Sequence, residues 1–95
     1  MADNVAATTA TADAIIDSGT GYYYGARVTG DATNPARVVV YDGTDTNGTI
    51  IDELRCVASE SEGDQFTHPV RIRDGIYLDV TTVGRVVVWH IGAGA

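Results

Sequence analysis

The chain has 95 residues, with 13 acidic against 6 basic side chains, no lysine and a formal charge of −7. A chain of this length makes one domain with a small core, and its apolar fraction of 44% excludes a wholly disordered protein. The acidic balance disfavours a nucleic-acid partner, because cationic side chains must replace counterions on the phosphates. No stretch approaches the ~18 consecutive apolar residues of a membrane-spanning helix, so no membrane role is expected.

Residues 1–14 are almost entirely Ala, Thr, Asp, Asn and Val, including the run Ala6-Ala7-Thr8-Thr9-Ala10-Thr11-Ala12. Such a segment has little to bury and is expected to be a flexible arm. The opening Met1-Ala2-Asp3-Asn4 lacks the basic start and apolar block of a secretory signal, so synthesis in a cytoplasm is expected. Residues 92–95, Gly-Ala-Gly-Ala, form a second tail without an apolar anchor. Between the two lies a single domain, 15–91.

That domain is punctuated by turn signals: Gly19-Thr20-Gly21, Gly30-Asp31, Asn34-Pro35, Asp42-Gly43, Asn47-Gly48, Glu62-Gly63-Asp64, His68-Pro69, Asp74-Gly75 and Gly84. The segments between them are short and rich in Val, Ile, Tyr and Thr, the composition of strands. Seven strands are predicted, near 14–17, 22–29, 36–42, 49–58, 65–73, 76–81 and 84–91. Strands this close together, without helical crossovers, predict an all-β fold. The expected architecture is a small antiparallel β-sandwich or barrel, jelly-roll-like. Asp74-Gly75 is the strongest hairpin signal, since this pair suits a type I′ turn, and Val83-Gly84 is expected to open a last hairpin.

Three segments are apolar on both faces: Tyr22-Tyr23-Tyr24, Val38-Val39-Val40-Tyr41 and Val86-Val87-Val88-Trp89. A strand with one wet face alternates, whereas a continuous apolar run requires cover on both sides. Parity places Ala26, Val28, Val38, Val40, Leu54, Ile76, Leu78, Val80, Val87 and Trp89 in the core. It leaves Tyr23, Val39, Tyr41, Tyr77, Val86 and Val88 on a second face, the candidate contact surface to another protomer or a capsid.

Constellations for chemistry fail one by one. A calcium loop across residues 42–49 lacks the acid at its twelfth position, leaving a looser Asp42, Asp45 and Asp52 set against the simpler reading of a solvated turn. His68, His90 and the single Cys56 show none of the close pairings of a zinc site. A Cys56, His68 and acid trio has no supporting motif, and Cys56 reads as a buried thiol rather than a reactive one. Asn47-Gly48-Thr49 matches a glycosylation sequon but reads as a turn. No catalytic residue, metal ligand or cofactor is assigned. A sugar platform built from Tyr23, Tyr77 and Trp89 is a further reading, because aromatic rings stack on sugar faces.

The succession Tyr22-Tyr23-Tyr24-Gly25, Val38 to Thr44, Asp74 to Val80 and Val86 to Trp89 resembles small β-sandwich virion proteins of tailed bacteriophages, of the capsid decoration or cement type. The resemblance is one of pattern and covers residues 15–91. It implies a non-enzymatic protein on the capsid surface that binds and stabilises the assembled shell. It further implies a homo-oligomer, a trimer foremost, with the major capsid protein or other virion proteins as partners. The alternative within that class is a head-tail or tail subunit, and outside it a carbohydrate-binding module on a spike or fibre.

Overall fold

The computed structural model describes residues 5–31, 33–81 and 85–92, with only the backbone of 64–68 and 92. Eight strands follow one another: β1 (Ala6–Ala10), β2 (Ala14–Ser18), β3 (Gly21–Thr29), β4 (Ala36–Asp42), β5 (Thr49–Cys56), β6 (Ser61–Ile72), β7 (Gly75–Thr81) and β8 (Arg85–Gly92). They form two four-stranded sheets, β1-β8-β3-β6 and β2-β7-β4-β5, with every pair antiparallel. This interleaved order is that of a jelly roll, a two-sheet architecture of eight strands.

Seven of these strands correspond to predicted ones, although β6 begins four residues early and runs through Glu62-Gly63-Asp64 and His68-Pro69, both expected to be turns; the eighth, β1, lies in the segment expected to be an arm. Ala6 to Ala10 pairs with β8 in register Ala6↔His90 to Ala10↔Val86. Extended Ala and Thr residues bury little, but the ladder of backbone hydrogen bonds needs no large side chain. Only β4 and β5 are consecutive neighbours, so the chain changes sheet at all the remaining connections between these strands. The hairpin expected at Asp74-Gly75 is therefore not formed: β6 and β7 belong to opposite sheets. Gly75 does adopt the positive φ, at 144°, but spends it on a crossing. That crossing is fixed by the Asp42 carboxylate, which accepts the Arg73 and Asp74 N–H groups, and by the bond from Gly43 N–H to Gly75 O. β7 and β8 also lie in opposite sheets, so no hairpin joins them, and the Val83-Gly84 turn itself falls outside the described residues.

The core fills the space between the sheets. β3, β6 and β8 contribute Tyr23, Ala26, Val28, Ile72, Val86 and Val88. Ala36, Val38, Val40, Leu54, Ile76 and Leu78 face them from the other sheet. Five placements by parity are corrected here. Tyr23, expected on the second face, is fully buried because a bulge between Tyr23 and Gly25 inserts one residue and brings Tyr23 onto the side of Ala26 and Val28. Val86 and Val88 are also buried, while Val87 and Trp89 are half-buried and point outward. β8 is apolar on both faces, so its own sequence could not choose. Its register does: Val86 and Val88 lie opposite Val28 and Ala26, and Trp89 falls between Gly25 and Ala7, whose small side chains leave room for the indole. Val80 is half-buried and packs against the core.

Candidate interaction face

The outer face of the β2-β7-β4-β5 sheet carries three rows of side chains, fixed by register. Across one end run Ile15, Tyr77, Tyr41 and Ile50, each the cross-strand partner of the next, so an apolar stripe spans all four strands. The middle row is Asp79, Val39 and Glu53. The far row is Thr81, Arg37 and Arg55. Alternation along each strand puts these residues on the side opposite the core.

The stripe is the most exposed apolar feature of the face. Ile15 and Ile50, at its two ends, are 55% and 58% accessible. Both owe that position to a bulge. Between Ile15 and Asp17, and between Val40 and Tyr41 opposite Asp52 and Ile50, the register slips by one residue. Ile16 and Ile51 therefore turn to the core while their neighbours turn out. At the centre, the rings of Tyr41 and Tyr77 lie 6.3 Å apart and are tilted by 52°. Burial holds the Tyr77 phenol above its ordinary range, reinforced by the carboxylates of Asp13, Asp79 and Asp45. The stripe is thus edged with negative charge.

Between the far and middle rows, the charges pair. Arg37 donates from Nε (2.9 Å) to Glu53 Oε2, Arg37 Nη2 lies 2.8 Å from the same oxygen, and Arg55 Nη2 donates to it at 2.8 Å. The Arg37 and Arg55 hydrogen bonds hold the Glu53 carboxyl below the usual carboxylate range.

Of the six residues expected at a contact surface, Val39, Tyr41 and Tyr77 lie on this side of the sheet, but Val39 is buried beneath its neighbours and only the two tyrosines are half-buried; Tyr23, Val86 and Val88 are core. Ile15 and Ile50 were not expected. Their signal is the doubled Ile15-Ile16 and Ile50-Ile51, where strict alternation allows one apolar residue and two are present. The aromatic platform is dispersed, with Tyr23 inside, Tyr77 on this face and Trp89 on the outer face of the opposite sheet.

The remaining candidates have structural employment. Asp45 accepts Asn47 N–H, Asp52 accepts the Tyr23 hydroxyl at 2.7 Å and the Glu53 N–H, and Asp42 caps the 73–74 crossing. Among the described residues, no group of three His, Cys, Asp or Glu is placed to hold a metal ion. Cys56 is half-buried, its thiol 3.3 Å from Glu60 O. The side chain of His68 lies outside the described residues. His90 is buried, with Nε2 2.8 Å from Thr8 Oγ1 and Nδ1 3.5 Å from Asp17 Oδ2, so one imidazole faces β1 and β2 together. Among the described residues, no helix is long and apolar enough to cross a membrane.

No protein-family model, curated protein or solved structure matches this chain.

Proposed function

We propose that this chain is a non-enzymatic virion structural protein that decorates an assembled capsid, docking through the outer face of the β2-β7-β4-β5 sheet. The observation that carries the reading is the continuous stripe Ile15–Tyr77–Tyr41–Ile50. Of the four large apolar side chains that are exposed among the described residues, two terminate this stripe, which argues for a surface awaiting a protein partner. The jelly-roll order adds a fold-level analogy, since viral capsid domains use it; lectins and cupins use it too, so the analogy supports the class of object and not the site. Binding only to the assembled lattice stabilises that lattice by mass action. A trimeric state belongs to the same proposal, as does a place on the capsid exterior.

The test is cosedimentation of the protein with purified shells of its particle, combined with light scattering. Saturable binding by an oligomer, lost in Ile15→Ser/Ile50→Ser with the fold intact, is the expected result. A monomer that leaves shells unbound overturns the proposal. Electron microscopy of the particle separates decoration from the head-tail or tail alternative. A sugar-binding role has one supporting observation, the Tyr41–Tyr77 pair on an open face, and predicts saturable glycan binding that Tyr41→Ala abolishes.

A further inference from the structure

At the Arg37–Arg55 end of the same face the sheet opens into a hollow of about 450 Å3, walled by Pro35, Ala36, Cys56, Val57 and Thr81 and completed by the two arginines. Hollows of this size suit small molecules, which are held by an apolar wall and oriented by a few polar groups. The wall is almost wholly apolar, and the charged groups belong to the two arginines that border it. Val57 is 59% accessible, an exposed apolar side chain with nothing over it among the described residues. The polar element is cationic. Two guanidinium groups share one carboxylate oxygen, Glu53 Oε2, so the trio carries a net positive charge in a molecule of −7. All the bonds that Arg55 makes among the described residues come from Nη2, and its side chain is 71% accessible. Its Nε and Nη1 make no bond among the described residues. Each of these donors can give a charge-assisted hydrogen bond to a carboxylate.

We propose that this hollow binds a small amphiphilic monocarboxylate, with the aliphatic body against Ala36, Cys56 and Val57 and the carboxylate on Arg55 and Arg37. One net positive charge matches a monoanion better than a phosphate dianion, and the apolar wall excludes small hydrophilic acids. The site is independent of the docking stripe at the opposite end of the face, so either reading can fail without the other.

Octanoate is the probe, with 1-octanol as its uncharged counterpart of the same length. Titration followed by amide NMR should give saturable shifts centred on Ala36, Val57 and Thr81. Octanoate should also slow alkylation of Cys56 by iodoacetamide, because the thiol lies in the wall that the ligand covers. In Arg37→Gln/Arg55→Gln, octanoate affinity should fall about tenfold or more, with 1-octanol binding unchanged. Those arginines are exposed, so the fold should survive their loss. Val57→Glu, at an exposed position, provides a second block by placing a like charge in the mouth. The proposal is overturned by any one of three results: shifts that do not saturate or do not centre on this hollow, 1-octanol binding as tightly as octanoate, or octanoate affinity indifferent to both variants.

Discussion

Two kinds of polar side chain hold this small molecule together, and they respond differently to change. Tyr23 reaches from β3 across the sandwich, fully buried, to place its hydroxyl 2.7 Å from Asp52 on β5. A hydrogen bond to a charged acceptor contributes about 1.5–3 kcal/mol net. Tyr23→Phe keeps the ring and removes that bond, so urea denaturation should show a loss of at least about 1.5 kcal/mol. Asp31 works at the surface. Its carboxylate accepts the N–H groups of Thr33 and Asn34 at 2.8 and 2.6 Å, and these bonds hold its carboxyl below the usual range. Glu53 is lowered likewise by Arg37 and Arg55. A carboxyl with a folded value below its unfolded value adds stability above the unfolded value, and that stability is lost as pH falls toward the folded value. The wild-type urea midpoint should therefore drop between about pH 5 and about pH 2, and Asp31→Asn should be less stable at neutral pH and show a shallower drop. An equal slope in the variant would remove Asp31 from the account.

Elements were legible where composition and turns agree and illegible where geometry between strands decides. The ranges of β2 to β8 follow from Val, Ile, Tyr and Thr runs between Gly, Asp and Asn pairs. What the strands pair with does not, as Asp74-Gly75 demonstrates: the dipeptide specifies a positive φ, and a positive φ serves a sheet crossing as well as a hairpin. The crossing is also sterically closed. A Cβ on Gly75 would lie 2.5 Å from Asp17 O and 3.0 Å from Gly43 O, in addition to the strain of φ 144°. Gly75→Ala should therefore cost at least about 2 kcal/mol in thermal or chemical denaturation, whereas an ordinary hairpin glycine with open space around it would cost less. Bulges were equally hidden. An inserted residue at Tyr24 changes which tyrosine is core, yet Tyr22-Tyr23-Tyr24 carries no mark in its composition of where the slip falls. β1 was hidden for the opposite reason, since its Ala and Thr side chains give no apolar period and only its pairing with β8 defines it.

At the scale of the whole molecule, the question is which apolar surface the fold leaves uncovered. Two sheets cover each other's inner faces, and the extents of 39 × 28 × 17 Å describe a flat sandwich with two broad outer faces. On one, Val87, Trp89 and Ile91 are half-buried. On the other, Ile15 and Ile50 stand free at either end of the tyrosine pair. Part of this second surface was legible, through Tyr41 and Tyr77; Val39 is buried, and the most exposed members depend on bulges and were not legible. Association through such a stripe sets apolar burial against the mutual repulsion of chains with charge −7. The two terms differ in their response to salt, because at 0.1 M screening largely removes repulsion between exposed charges more than about 10 Å apart and leaves apolar burial nearly untouched. Self-association measured by sedimentation should therefore strengthen as salt is raised from about 0.01 M to about 0.5 M. Ile15→Ser/Ile50→Ser should abolish it at every salt concentration while leaving the denaturation midpoint within about 0.5 kcal/mol of wild type, since neither side chain is buried. Association that weakens with salt, or that survives both substitutions, would mean that charge pairing or the Trp89 face holds the copies together.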